Sequence, residues 1–153
     1  MQAALNRREN GVVDLLPAFS DGLSGLEGFD YAWLLTWLHR PDQPDEPASL
    51  TQVPFLLRPQ QRSMGVFATR GPRRVNPIGL SLVRVLSVEP TRIRFAGVDI
   101  LDGTPLIDIK PYVTRFDRPD DDPRCGWFDS VPIVEGITPA ELSLLDCDPP
   151  IDP

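Results

Sequence analysis

Eighteen prolines in 153 residues are the feature that most limits the fold of this chain. That share is more than twice the usual value of about 5%, and proline ends or kinks a helix that contains it. The prolines cluster in an extended loop around residues 41–59 and in a tail after residue 117, where we expect little regular structure. Between the glycine and proline breaks lie short runs rich in β-branched and aromatic residues, which favour strands.

These runs predict a mainly β fold, a small single-sheet β-barrel or half-barrel with a proline-rich, irregular C-terminal tail. Helical signal is confined to a short turn over residues 20–28 and to residues 138–145, which begin with a plausible N-cap. A tight turn at residues 88–91 is predicted to join two strands in a hairpin. The six predicted strands span residues 11–16, 29–38, 64–68, 79–88, 91–98 and 106–110.

We predict one barrel domain over residues 1–116, followed by an acidic, proline-rich segment over residues 117–153 that packs on the barrel or extends from it. The apolar run at residues 29–38 fits a strand or a helix by periodicity, and its aromatic content favours a strand. Its aromatic residues are expected in the core rather than in base stacking; they are Phe29, Trp33 and Trp37.

The net charge of −7 opposes indiscriminate binding to nucleic acid, but the charge is unevenly distributed. Residues 58–94 hold eight arginines against the single acid Glu89, so this segment carries +7 and the remainder of the chain −14. Such a basic segment suits local contact with phosphate or RNA. Arg92 and Arg94 alternate with apolar residues, and for these two we expect the solvent-facing side of the sheet.

Several functional classes are excluded by pattern. No apolar run approaches the roughly 18 residues of a membrane span, and no signal peptide is recognisable, so we expect a cytoplasmic protein. Cys125 and Cys147 lack metal-ligand spacing and His39 is the single histidine, so we expect free thiols, no metal and no Ser/His/Asp set. Residues 65–70 match neither a dinucleotide-binding glycine pattern nor a phosphate-binding loop.

Two segments carry candidate chemistry. Arg70, Arg73 and Arg74 project from a run of prolines and glycines, and guanidinium groups on a constrained backbone suit phosphate, carboxylate or a stacked base. Asp108 and Lys110 alternate with isoleucines in a predicted strand, so their side chains share one face. As an exposed pair they would contribute about 0.2–1 kcal/mol. In a pocket, Asp108 could accept a proton while Lys110 or Arg70 holds an anionic group.

Two blocks of the sequence resemble the TsaA-like family, also called YaeB or TrmO. Gly65–Ser81 is similar to the family signature GVFATRSPxRPNPIGLS, and Leu101–Tyr112 is similar to LDGTPxxDIKPY. Weaker likeness, including Gly25–Trp33 against GLExFsxxW, extends the resemblance from about Gln2 to Trp127. The resemblance therefore covers most of the chain.

The resemblance implies an S-adenosylmethionine-dependent methyltransferase that acts on N6 of threonylcarbamoyladenosine in the anticodon loop of tRNA, as a homodimeric β-barrel. The cofactor-binding residues implied by it are Gln2, Ala3, Ala4, His39, Arg40, Arg70, Leu80, Leu101, Asp102, Gly103 and Thr104. The residues that we expect to act in catalysis are Asp108, Lys110 and Tyr112. The residues that we expect to bind RNA are Arg73, Arg74 and Asn76.

Departures from the family pattern keep two alternatives open. Gly71 stands where the family has Ser, Val75 stands where it has Pro, and the family's first strand is expected to be absent because the chain starts near Gln2. These differences favour a noncatalytic barrel that binds cofactor or RNA. The acidic tail suits a third possibility, a structural or regulatory module that recruits partners.

Overall fold

The computed structural model of the protein describes residues 9–38 and 49–131. The described chain is mainly β, with seven strands, five short 3-10 segments and one four-residue helix, α1 (Thr114–Asp117). It divides into two compact units, one over residues 1–48 and 72–118 and the other over residues 49–71 and 119–153. The domain division expected at residue 116 stays a prediction.

The strands run in chain order as β1 (Asn10–Asp14), β2 (Tyr31–Trp37), β3 (Thr51–Gln52), β4 (Met64–Gly65), β5 (Ile78–Glu89), β6 (Arg92–Ala96) and β7 (Leu106–Pro111). The first unit contains one antiparallel sheet with the strand order β1-β6-β5-β2-β7. In the described part of the chain β1 and β7 are its two edges, so closure into a barrel is not confirmed. The β-rich prediction itself is confirmed.

The β5–β6 hairpin confirms the predicted turn and the solvent-facing arginines. Glu89 pairs with Arg92 at its closed end, which leaves two residues in the turn. The Arg92 Nε atom lies 2.6 Å from Oδ1 of Asp14 on β1, and Arg94 Nε lies 3.5 Å from Oε1 of Glu89. The hydrogen bond from Arg92 lowers the pKa of Asp14. Exposed pairs of this kind add little stability, so these arginines belong to the surface of the hairpin.

The core of the first unit lies on one face of the five-stranded sheet. Strands β2, β5 and β6 contribute alternate apolar residues, as expected for a period of two. Two 3-10 segments, Pro17–Leu23 and Leu26–Gly28, add one leucine each to the same cluster. The buried cluster consists of Leu23, Leu26, Ala32, Leu34, Val83, Ile93 and Phe95.

The core placement predicted for three aromatic residues is wrong. Phe29 and Trp37 are 38% and 41% exposed, and Trp33 is half-buried. For the two tryptophans the reason is the alternation of β2, in which Ala32 and Leu34 point to the core, whereas Phe29 lies before this strand. The odd-numbered residues of this strand consequently point to the opposite face.

One predicted strand is shorter in the structure, and one short helix is additional to the predicted elements. The strand expected at residues 64–68 ends at Gly65 and continues as a 3-10 segment, Val66–Ala68. The helix α1 was not predicted, and the helix expected at residues 138–145 lies outside the described residues. Among the described helices, none has the length and apolarity needed to cross a membrane.

The second unit contains little regular structure within residues 49–71 and 119–131. Strands β3 and β4 pair antiparallel, and 3-10 segments span Phe55–Gln60 and Gly126–Ser130. Leu57 and Val66 are its fully buried side chains among the described residues. Cys125 is exposed and free, as predicted, whereas Cys147 lies outside the described residues.

Candidate functional site

Strand β7 brings two of the three expected catalytic residues into contact and places the third directly after them. Lys110 Nζ lies 2.8 Å from Oδ2 of Asp108, as expected for alternate residues on one face. The backbone N–H of Ile109 donates to Oδ1 of Asp108 at 2.9 Å. Tyr112 follows the strand, and its backbone N–H donates to the carbonyl of Tyr31 at 3.0 Å. With Lys110 at Oδ2 and the Ile109 N–H at Oδ1, the carboxylate of Asp108 accepts hydrogen bonds at both of its oxygens.

These contacts determine the charge state of Asp108. The hydrogen bond from Lys110 is the main cause of a lowered pKa for this carboxyl group, and the Ile109 N–H acts in the same direction, while burial opposes both. A carboxylate with a lowered pKa is ionised at neutral pH and is a weak base. Asp108 is thus negatively charged at neutral pH, with a cation beside it.

The register of the paired strands identifies the neighbours of Asp108 and Lys110 on the sheet. Asp108 lies opposite Leu35 on β2, and Leu35 lies opposite Leu80 on β5, so the three side chains share one face. The next row on that face joins Trp33 to Lys110. Leu80, an expected cofactor-binding residue, is 49% exposed there. We call this side of the sheet, opposite the core, the open face.

Aromatic rings border the charged pair on the open face. The ring centroid of Tyr112 lies 6.1 Å from that of Trp33 and 6.4 Å from that of Tyr31. The ring plane of Trp33 is tilted by 58° relative to that of Tyr112. The ring plane of Tyr31 meets that of Tyr112 at 73°, in an edge-on arrangement. The expected catalytic residues therefore border an aromatic surface that is partly open to solvent.

The expected cofactor turn, Leu101–Thr104, directly precedes β7. The N–H of Thr104 donates to the carbonyl of Leu101 at 3.2 Å, and Gly103 has φ +77, a conformation that favours glycine. A Cβ atom at Gly103 would have nothing within 4 Å, and Leu101 is 74% exposed. The turn therefore offers an accessible backbone, which fits contact with a small ligand.

Three strand ends converge beside this turn. Strand β2 ends where β5 and β7 begin, because both neighbours run antiparallel to it. Trp37 N–H donates to the carbonyl of Pro105 at 2.9 Å, and Leu38 N–H donates to that of Pro77 at 2.6 Å. His39 and Arg40 follow in the chain. The expected cofactor residues outside the described part are Gln2, Ala3, Ala4, His39 and Arg40.

The expected RNA-binding residues precede β5. Arg73 and Asn76 are exposed, and Arg74 is half-buried. The carbonyl of Asn76 accepts a hydrogen bond from the N–H of Ile78 at 2.7 Å, at the beginning of β5. The chain thus enters the strand that carries Leu80 directly after two arginines and an asparagine.

Arg70 lies in the second unit, where it is exposed. Its neighbour Thr69 is buried, donates from Oγ1 to the carbonyl of Val66 at 2.9 Å and accepts a hydrogen bond from Nε2 of Gln52. A Cβ atom at Gly71 would lie 2.8 Å from Oε1 of Gln52. The terminal amide of Gln52 thus fills the space beside Gly71 and would have to shift to admit a larger residue.

Three side chains near the expected site residues were not predicted. Trp127 Nε1 donates to the carbonyl of Ala68 at 2.8 Å in the second unit. In the first unit, the hydroxyl of Ser81 donates to Oδ1 of Asp99 at 2.8 Å. Ser81 ends the first motif, and Asp99 precedes the second motif by two residues. The positions of the two motifs were therefore the sequence signal that could have identified these residues.

Within residues 9–38 and 49–131, no cluster of three His, Cys, Asp or Glu side chains suits a metal ion.

Comparison with known proteins gives a consistent match. Residues 1–118 match the model of the tRNA-methyltransferase O N-terminal domain. A Pyrococcus abyssi protein named "Probable S-adenosyl-L-methionine-binding protein" is 40% identical over 129 residues, 84% of this chain and 66% of that protein. A tRNA (adenine(37)-N6)-methyltransferase of Mus musculus is 41% identical over 97 residues, 63% of this chain and 22% of that protein.

Solved structures agree with these relatives. A crystal structure of TrmO from Pseudomonas aeruginosa superposes with a TM-score of 0.64 at 39% identity, over 86% of this chain and 53% of that chain. A further TrmO crystal structure gives a TM-score of 0.62 at 37% identity. The chain therefore spans about half the length of the solved structures that it matches.

Proposed function

Because the chain belongs to the tRNA-methyltransferase O family, we propose that it uses S-adenosylmethionine to methylate N6 of threonylcarbamoyladenosine beside the anticodon of tRNA. The observation that carries the proposal is the continuity of the Leu101–Thr104 turn with β7. The expected cofactor turn leads through Pro105 into the strand that presents Asp108 and Lys110 on the open face. Binding and reacting groups then belong to one continuous segment.

The Leu101–Thr104 turn would hold the cofactor together with Leu80. The open space beside Gly103 and the exposure of Leu101 and Leu80 suit this role. When bound, S-adenosylmethionine supplies an electrophilic methyl group, and N6 loses its proton as it takes that group. The protein's task is to align the acceptor nitrogen and to take or direct the proton.

Asp108 and Lys110 supply the charges for that task. The ionised carboxylate of Asp108 accepts the N6–H as a hydrogen bond and receives or relays the proton. Lys110 holds the carboxylate in place at 2.8 Å and offers a cation to the carboxylate of the threonyl group. Tyr112 limits the space beside them with its ring.

The anticodon loop would reach this region through single-stranded contacts. Arg73, Arg74 and Asn76 precede β5 and offer guanidinium and amide groups to phosphate and base edges. The arginine-rich segment at residues 58–94 attracts the negatively charged RNA, while the acidic remainder of the chain limits nonspecific association.

We place the activity in the cytoplasm, where its tRNA substrate is available.

We further propose that the protein acts as a homodimer. Tyr31, Trp37, Ile78 and Leu80 expose between 41% and 49% of their surface on the open face or at its end. Contiguous exposed apolar residues of this kind mark interaction surfaces. A second copy of the chain would cover part of this surface beside the reacting groups.

The function is tested with labelled S-adenosylmethionine and tRNA prepared with or without the threonylcarbamoyl group. We expect label on the modified adenosine alone, located by nucleoside mass spectrometry. Arg70→Ala is expected to lower transfer by roughly 10- to 100-fold, since the family resemblance implies that this guanidinium binds the cofactor. Arg62→Ala, an exposed arginine of the same unit, serves as the control and should retain the rate. Absence of label with either tRNA would refute the activity.

The dimer is tested by sedimentation equilibrium. We expect twice the mass of one chain at micromolar concentration and weaker association for Trp37→Ser, because this change removes a large apolar side chain from the open face. Leu16→Ser alters an exposed apolar residue outside the strands and should leave the mass unchanged. A monomeric wild-type protein would contradict the homodimer without affecting the proposed chemistry.

A further inference from the structure

The segment between β6 and β7, residues 97–105, contains the expected cofactor turn and needs external support. Its exposed middle includes Leu101 and Gly103, and Gly103 has open space around it. A turn with so little packing of its own loses conformational freedom when it binds a ligand, which lowers affinity. The affinity of this turn therefore depends on what holds it before the ligand arrives.

The two ends of the segment are tied to neighbouring strands through backbone groups. The N–H groups of Gly97 and Val98 donate to the carbonyl of Glu9 at 2.9 Å and 3.4 Å. At the other end, the carbonyl of Pro105 accepts from Trp37 N–H at 2.9 Å. The stretch between these anchors contains Asp99 and the turn.

The middle of the segment is tied by side chains. Ser81 is 8% exposed and lies on β5 opposite Leu34, so its hydroxyl points to the core side of the sheet. That hydroxyl donates to Oδ1 of Asp99 at 2.8 Å, two residues before the turn begins. A buried hydroxyl bonded to a carboxylate has a charge-assisted and well-oriented contact. The bond joins the strand that carries Leu80 to the segment that carries the turn.

We propose that Ser81 and Asp99 are positioning residues that hold the Leu101–Thr104 turn in its ligand-binding conformation. The inference rests on the proposed cofactor function of that turn. Neither side chain needs to touch the ligand. Their hydrogen bond restricts the turn in the free protein, so that less order has to be gained when S-adenosylmethionine binds.

The first test requires no ligand. Amide hydrogen exchange is measured at Thr104, whose N–H donates to the carbonyl of Leu101 within the turn, in the wild-type protein and in Ser81→Ala, and we expect exchange that is roughly 5-fold faster or more in the variant. Ser87→Ala makes the same change on the same strand, at a half-buried serine paired with Arg94, and should leave exchange unchanged. Equal exchange in the wild-type protein and Ser81→Ala would overturn the positioning role.

The second test measures S-adenosylmethionine binding without tRNA by calorimetry. We expect Ser81→Ala and Asp99→Ala each to raise Kd by about 5- to 10-fold, while kcat at saturating cofactor stays within about 2-fold. The double variant should resemble either single variant, because one hydrogen bond is lost in all three. Asp99→Asn keeps an oxygen acceptor and should restore most of the affinity.

The two tests separate the inference from the proposed function. A wild-type protein that binds no S-adenosylmethionine would refute the cofactor function and with it the ligand part of the inference, whereas hydrogen exchange would still decide the positioning role. A wild-type protein that binds normally, with unchanged Kd in Ser81→Ala and Asp99→Ala, would refute the inference alone. If Ser81→Ala and Asp99→Ala lowered thermal stability but left Kd unchanged, the Ser81–Asp99 hydrogen bond would contribute to folding only.

Discussion

Asp108→Asn is expected to lower kcat for methyl transfer by roughly 10²–10⁴-fold, the usual contribution of a positioned acid or base. The substitution preserves the shape of the side chain but removes the negative charge that accepts hydrogen bonds from Lys110 and from the Ile109 N–H. A neutral amide neither receives the N6 proton nor attracts the N6–H strongly. Single-turnover transfer to threonylcarbamoyl-modified tRNA measures the effect on the chemical step.

Asp14→Asn is a matched control for this change. Asp14 is also a strand aspartate with a lowered pKa and a cationic partner, Arg92 at 2.6 Å, but it belongs to β1 at the opposite edge of the sheet. Loss of an exposed ion pair should therefore have the same small effect on stability in both variants. Equal transfer rates for Asp108→Asn and Asp14→Asn would eliminate Asp108 from catalysis.

The pH dependence of the rate gives a second, independent result. Because its pKa lies below the ordinary value of 3.8, Asp108 stays ionised as the pH falls to that value, so the wild-type rate should show no Asp108 inflection near neutrality. Lys110→Met removes the main cause of the lowered pKa, so the acid limb should move to higher pH. An acid limb at the same pH in both proteins would show that Asp108 is not the titrating group.

The charged pair could be predicted because strand alternation is a local property. Asp108 and Lys110 are two residues apart, and a period of two places them on one face whatever the rest of the fold does. The open face could not be predicted in the same way. Residues 31–37 are almost uniformly apolar, so the sequence of this strand contains no contrast that distinguishes the core side, with Ala32 and Leu34, from the side of Trp33 and Trp37.

The contact between Ser81 and Asp99 depends on the register of distant strands. The two residues are eighteen positions apart, and they meet because β5 pairs with β6 before the chain turns towards β7. Register follows from the complete hydrophobic pattern and the bulges of a sheet, and one bulge lies between Val85 and Ser87. Family motifs indicate which segments matter, but the hydrogen bond that connects them depends on the register of the folded sheet.

Gly79→Ala is expected to destabilise the protein by about 1–3 kcal/mol, the usual cost of overpacking. Glycine within a strand is normally unfavourable, so alanine would ordinarily be neutral or stabilising. At this position a Cβ atom would collide with Oγ1 of Thr36 and lie 3.0 Å from Cδ2 of Leu38. Thr36 is 3% exposed on a central strand, and a β-branched side chain there has little freedom to move away. Urea denaturation followed by tryptophan fluorescence measures the change.

Two variants make the result specific to this contact. Gly65→Ala changes a strand glycine with φ −60 that has nothing within 4 Å of the added atom, and it should stabilise by about 0.4–1 kcal/mol. Thr36→Ala removes the oxygen that the new methyl group would meet; among the described residues this oxygen is buried without a hydrogen-bond partner. Gly79→Ala should therefore cost less in the Thr36→Ala background, by at least about 0.5 kcal/mol. Equal costs in both backgrounds would show that Thr36 is not the obstacle, and the position of Leu38 would then explain glycine at the start of β5.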